Sequence, residues 1–292
     1  MTSAHIRTSN RKPGTWTRPE PKSALEQAAA RNKAGIAQRK AKLTESGNSG
    51  EYFRGDWDIP LNRLGKQQAA DAAKRTAGQF TSIASGTKDR HVATAQAFAA
   101  TNPQAGPVRT DAAFDPMHMG VHEGEPVTQD RIDQVNAQVR NHPDEPIPGV
   151  GKFSGSPGEK PKTWSRRLVG GVQDAIAHWK PDAKSLIVTS GRNVQAVRAW
   201  VAKGMPADRS LDPDVLTAEW RTKPGGMMRL DPTAGKVQDV TSASKPGIYF
   251  ARHGETDANA NGAVPAEVDE RPLAWRKRQN AIQMKQQEQR RR

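Results

Sequence analysis

A chain of 292 residues with 34% hydrophobic content is long enough for one large domain, yet polar enough to imply extensions outside the core. The absence of cysteine excludes disulfides, thiolate metal sites and a cysteine nucleophile, and no apolar run approaches the roughly 20 residues of a membrane span. The net charge of +14 belongs to the ends: residues 1–50 carry ten Lys/Arg against three Asp/Glu, residues 270–292 eight against two, and the segment between them 27 against 26.

The start, "MTSAHIRTSNRKPG", offers no apolar stretch for a signal peptide, so the expectation is an intracellular, cytoplasmic protein. Residues 1–50 read as a basic extension without a wide apolar helical face, and 262–292 as a second basic extension whose composition is compatible with a helix. Such ends attract polyanions, nucleic acid included, without base readout, or else act as solvated extensions. Between them, "LGKQQAADAAKRTAGQ" reads as a helix and "TSIASG" as a short strand. "DRHVATAQAFAATN" predicts a helix whose Val92, Ala95, Phe98 and Ala99 recur at helical spacing. The Pro- and Gly-rich "DEPIPGVGKFSGSPGEKP" predicts a long, mobile surface loop. Then follow a helix over "TWSRRLVGGVQDAIAHWK", a buried strand over "SLIVTSG", a helix over "NVQAVRAWVAKG" that ends on Gly204, an edge hairpin around Thr233-Ala234-Gly235, and a last strand in "KPGIYFARHG". This alternation predicts an α/β fold: three layers, with a mainly parallel central sheet and helices on both faces.

The last strand delivers Arg252-His253-Gly254 to its carboxyl end, a grouping suited to phosphoryl transfer. An imidazole nitrogen can attack phosphorus and hold the phosphoryl group, and guanidiniums pair with its equatorial oxygens. Extended to "RHGETDAN", the motif resembles the opening signature of the histidine phosphatase superfamily, the phosphoglycerate mutase-like family. Four further segments strengthen the resemblance. "GDWDIPLNRLGKQQA" is similar to G-x-x-D-x-P-L-x-x-x-G-x-x-Q-A, and "SGTKDRHVATAQAFA" to S-x-x-x-x-R-x-x-x-T-A. "FDPMHMGVHEG" resembles the segment that carries the proton donor. "LIVTSGRN" lies where the family has a strand ending in Ser-His-Gly.

The resemblance spans about residues 51–261 and implies phosphomonoester hydrolysis through a phosphohistidine, with no metal or organic cofactor required. By its pattern His253 is the nucleophile, Arg252 and Arg90 clamp the phosphoryl group, and Thr256 and Asn259 are further phosphate contacts. Two positions depart from it. Ser190 stands at the second histidine, with Arg192 two residues on as a candidate replacement cation. Pro116 stands at the usual acid, leaving Asp115 or Glu123 as proton donor. Phosphorylated small molecules are the implied substrates, with phosphoglycerate mutase activity a lesser variant. The competing reading is an inactive phosphatase-fold scaffold that binds nucleic acid or an assembly through its basic ends.

The order of the segments also departs from the family, in which the Arg-His-Gly strand comes first. A circular permutation accounts for this: the hairpin is joined through "TSASKPG" to the catalytic strand, and the chain is re-cut in the loop after it. "ERPLAWRKRQNA" near the end echoes "DIPLNRLGKQQA" at four of twelve positions, as a remnant of duplication would. The late strand could complete its own sheet or that of a second copy, giving a strand-exchanged oligomer. His118 and His122 have the i, i+4 spacing of two metal ligands, but Pro116 and Gly120 argue against a helix there. Trp164, Trp179 and Trp200 are assigned to helix–sheet packing.

Overall fold

The computed structural model describes residues 52–217 and 222–256; both basic extensions and Asn259 lie outside them. Six strands form one sheet: β1 (Ser82–Ser85), β2 (Arg109–Thr110), β3 (Lys184–Thr189), β4 (Met227–Asp231), β5 (Lys236–Val240) and β6 (Gly247–Arg252). Their order is β2-β1-β3-β6-β4-β5. The first four positions are parallel, and β4 runs antiparallel to both β6 and β5. Thus the last described strand occupies the middle of its own chain's sheet. There it pairs with β3 from Lys184↔Gly247 to Thr189↔Arg252.

Six α-helices complete the described fold: α1 (Arg63–Arg75), α2 (Asp89–Thr101), α3 (Gln129–Asn141), α4 (Pro161–Ala177), α5 (Gly191–Ala202) and α6 (Pro213–Thr217). The period-2 alternation of the strands sorts their side chains into two cores. Ile187, Ile248, Phe250, Met228 and Leu230 pack with Trp164 and Leu168 of α4 and Val194, Val197 and Trp200 of α5. On the opposite face Leu186, Val188, Tyr249 and Ala251 pack with Ala72 and Ala73 of α1 and Ala95 and Phe98 of α2. Every residue of β6 is buried, as a strand covered on both faces requires. Each large apolar side chain so removed from water contributes about 1.5–3 kcal/mol. Trp179 packs partly buried against the α4–α5 core.

Several local expectations are corrected. The first helix stops at Arg75 rather than running through Gln79, because Gly78 adopts φ +69° and the chain turns back toward β1. The helix α3 is an addition to the sequence reading; its sequence is polar, and it buries only Val135 and Val139, four residues apart, in the core. The long loop over 144–161, expected to be mobile, is tied down. Ile147 is buried, Gly151 N donates to Ser156 O at 2.8 Å, and Phe153 stacks on Trp57 with ring centroids 4.0 Å apart. No helix among the described residues is long and apolar enough to cross a membrane.

Candidate active site

The parallel strands β1, β3 and β6 all end at one edge of the sheet, and the residues that follow them line a cleft of about 150 Å³. His253 enters it directly after β6. Its backbone N–H donates to Thr189 O at 3.0 Å, continuing the β3–β6 pairing by one residue. Its Nδ1 lies 2.6 Å from the Gly254 carbonyl oxygen. A carbonyl only accepts, so this contact holds the ring proton on Nδ1 and leaves a lone pair on Nε2. Nε2 is buried and meets no hydrogen-bond partner, while the residue lines the cleft. Burial holds the imidazole well below the ordinary histidine range, reinforced by the charges of Arg54, Arg90, His91 and Arg252. A neutral imidazole with a free Nε2 is the form that can act as a nucleophile.

The segment carrying this ring is gripped by α1. Asn62 caps that helix by accepting from Gly65 N at 2.7 Å, and its side-chain amide donates to Glu255 Oε1 at 3.1 Å. Asn62 N also donates to Glu255 O at 3.1 Å, and Glu255 N donates to Gln68 Oε1 at 2.8 Å. The two backbones approach so closely that a Cβ on Gly65 would lie 1.9 Å from Glu255 O, and one on Gly254 would lie 2.2 Å from Gly65 O. Only glycine fits at either position.

Arg90 is buried in the first turn of α2. Nη1 donates to Trp57 O at 2.8 Å and Nη2 to Gly55 O at 3.2 Å, while Nη1 lies 3.9 Å from Asp58 Oδ1. Its Nε has no partner. Burial lowers its pKa, opposed first by Asp58 and then by Asp115, Asp56 and Glu123. Arg252 donates to Thr222 O at 2.8 Å and packs along Gly191, where a Cβ would stand 3.1 Å from its Cδ.

Of the residues expected from the sequence, His253, Arg252, Arg90, Ser190 and Arg192 line the same cleft. Ser190 caps α5 by accepting from Asn193 N at 3.3 Å. Arg192 donates through both terminal nitrogens to Asn136 Oδ1 of α3, at 3.4 and 3.3 Å. Thr256 is fully buried and absent from the cleft lining, and its hydroxyl accepts from Arg54 Nη1 at 3.2 Å. The two candidate proton donors stand outside this lining. Neither Asp115 nor Glu123 lines the cleft. Asp115 accepts from Thr87 N at 2.6 Å and Thr87 Oγ1 at 2.5 Å. Glu123 accepts from Phe153 N at 3.0 Å, Ser154 N at 2.7 Å and Ser154 Oγ at 2.8 Å, which fastens the long loop. Each carboxylate thus ties two segments together. His118 and His122 also part company: His118 Nε2 lies 3.4 Å from Asp56 Oδ1, whereas the His122 ring faces Phe53 at 6.0 Å.

Three further residues stand at or beside the cleft without belonging to any motif of the sequence. Arg54 lines the cleft just before Gly55. His91 is fully buried with both ring nitrogens lacking hydrogen-bond partners, and its ring lies 5.3 Å from that of His253, tilted by 33°. Asn193 is a buried hub. It accepts from Trp164 Nε1 at 2.9 Å and donates to Thr189 Oγ1 at 2.8 Å and to the Phe114 and Asp115 carbonyls at 3.0 Å. Arg90 carried a signal through its register in a matched segment, but nothing in single-sequence spacing marks these three.

Comparison of the chain with curated proteins gives no match. Solved structures of similar fold include a mycobacterial glucosyl-3-phosphoglycerate phosphatase in complex with inorganic phosphate (23% identity, TM-score 0.39, covering 57% of this chain and 79% of that one). Two others are a phosphoserine phosphatase mutant from Entamoeba histolytica in complex with phosphoserine (18%, 0.47, 65% and 87%) and the alpha-ribazole phosphatase from Shigella flexneri (17%, 0.45, 67% and 90%). The family model for the histidine phosphatase superfamily, branch 1, matches residues 43–222, more than half of the sequence and a span that ends before β4. The chain belongs to the histidine phosphatase superfamily.

Proposed function

We propose that the protein hydrolyses phosphomonoesters through a covalent phosphohistidine at His253. The observation that carries this reading is the state of that ring: a neutral imidazole, its Nδ1 proton engaged by Gly254 O at 2.6 Å and its Nε2 without a partner, in a cleft lined by arginines. In the first step the Nε2 lone pair attacks phosphorus, an N–P bond forms, and the bond to the ester oxygen breaks. The departing oxygen takes up a proton from solvent, and the water that attacks in the second step returns one. Water then attacks phosphorus, the N–P bond breaks, and orthophosphate leaves with the imidazole neutral again. Arg252 and Arg90 offset the charge on the equatorial oxygens throughout, which is the largest contribution such a site makes to rate.

The same reading treats the chain as a circular permutation. In support, the family model ends at residue 222, yet the Arg-His-Gly strand beyond it fills the centre of the same sheet. A reordered chain in which residues 243–259 precede 49–242 should then fold and keep its turnover. Failure of that chain to fold would remove the permutation without touching the chemistry. The chemistry itself is tested by phosphate release from an aryl phosphate, comparing wild type with His253→Ala. Turnover lost in a folded variant supports the reading, and equal turnover in both chains contradicts it. The scaffold alternative predicts no turnover in either, and the retention of Arg90 and Arg252 around His253 speaks against it.

A further inference from the structure

The cleft holds a cation that the family-like segments do not supply. Arg54 stands immediately before Gly55, and its side chain lines the cleft with Arg90, Arg252 and His253. Its Nη1 donates to Thr256 Oγ1 at 3.2 Å, which joins the strand-free stretch before α1 to the segment after the histidine, 202 residues away in sequence. Among the charges that act on the His253 ring, that of Arg54 is the largest, ahead of Arg90, His91 and Arg252.

That placement meets a need elsewhere in the site. Ser190 occupies the position at which the family pattern has a second histidine, and a hydroxyl carries no charge. Its Oγ is also committed to capping α5, accepting from Asn193 N at 3.3 Å. Arg192, the neighbouring cation in sequence, reaches across to Asn136 of α3 and is not among the leading charges on the His253 ring. We propose that Arg54 replaces the missing cation as the third guanidinium of the phosphoryl clamp, holding the equatorial oxygens together with Arg90 and Arg252. The inference rests on the phosphatase reading. It assigns the contact to a planar fork able to bind two oxygens at once, which a serine hydroxyl cannot do. Thr256 then acts as a positioning residue, orienting the fork through its hydroxyl.

The test is calorimetric titration of inorganic phosphate into full-length wild type, Arg54→Gln, Arg54→Lys and Arg54→Ala, with the unfolding midpoint of each recorded. Arg54→Gln should weaken phosphate binding by roughly 10- to 100-fold, the range for losing hydrogen bonds to a charged group. Arg54→Lys should lie between it and wild type. Added guanidinium should restore part of the binding to Arg54→Ala. A lowered midpoint with unchanged phosphate affinity would reduce Arg54 to a staple on Thr256 and overturn the proposal. If Arg54→Gln does not fold, Arg54→Lys decides, since it keeps the charge and a donor for Thr256: weaker binding supports the clamp and unchanged binding overturns it. Wild type that binds no phosphate removes the phosphatase reading and this inference with it. Wild type that binds, beside an unchanged Arg54→Gln, removes the inference alone.

Discussion

Replacing Gly65 by alanine sets two effects of opposite sign against each other. Within a helix, Gly→Ala ordinarily stabilises by about 1 kcal/mol, and by less in a first turn. At position 65, however, the new methyl would stand 1.9 Å from the Glu255 carbonyl oxygen and 2.6 Å from its nitrogen, where real Cβ contacts essentially never fall below 3.0 Å. Both obstacles are backbone, so the segment after His253 and the amino end of α1 must separate by about 1 Å. Overpacking of this kind costs about 1–3 kcal/mol and outweighs the propensity gain. The displaced backbone is two residues from His253, and a 1 Å error at a reacting group costs on the order of 10²-fold in rate. Gly65→Ala should therefore lose stability and most aryl phosphatase activity, although no Gly65 atom reaches the cleft. Lys66→Ala, exposed on the same helix, should leave both unchanged. Thermal unfolding and steady-state turnover of the two variants make the comparison. A fully active, equally stable Gly65→Ala would refute the claim that this backbone contact positions the nucleophile.

Two further outcomes follow from the same structure. His91 and His253 are both held well below the ordinary histidine value of about 6.5, by burial first and then by the arginine charges around them. The unfolded chain protonates both near that value and the folded chain only at lower pH. Stability should thus be full above about pH 6.5 and fall as the pH drops toward the folded values, by up to about 2.7 kcal/mol per pH unit for the two groups together. Urea unfolding at a series of pH values checks this, and a flat profile from pH 7.5 to 5 would refute it. Asp115→Asn should cost about 1–2 kcal/mol through its altered bonds to Thr87 and change turnover by less than about tenfold. A loss of about 10²–10⁴-fold without a stability change would identify Asp115 as the general acid.

Much of the fold was legible because its central strands carry a strong local signal. Residues 186–188 and 248–251 are buried on both faces, and their continuous apolar character follows from that. The helix α3 was not legible, since it meets the core through only two valines and is polar elsewhere. His253, Arg252 and Arg90 could be read because each sits in a short local pattern. Arg54 could not, as its meaning comes from Thr256, which only the folded sheet brings beside it. Asp115 and Glu123 are the carboxylates of the matched segment 114–124, in which Pro116 stands at the usual acid. Sequence proximity says nothing of the Thr87 and Ser154 groups that claim them. His91 carries no sequence signal, because a histidine beside an arginine is ordinary until both of its nitrogens are found buried without partners, against the His253 ring.

The central claim is that His253 carries the phosphoryl group, and rapid acid-free quenching of the wild-type enzyme during turnover of an aryl phosphate tests it most directly. The phosphoenzyme should be stable in base and labile in acid, as a phosphoramidate is, and peptide mapping should place the label on His253. The His253→Ala chain should take up none. A label on any other residue, or turnover by wild type with no trapped phosphoenzyme under conditions where hydrolysis of the intermediate is slow, would contradict the account.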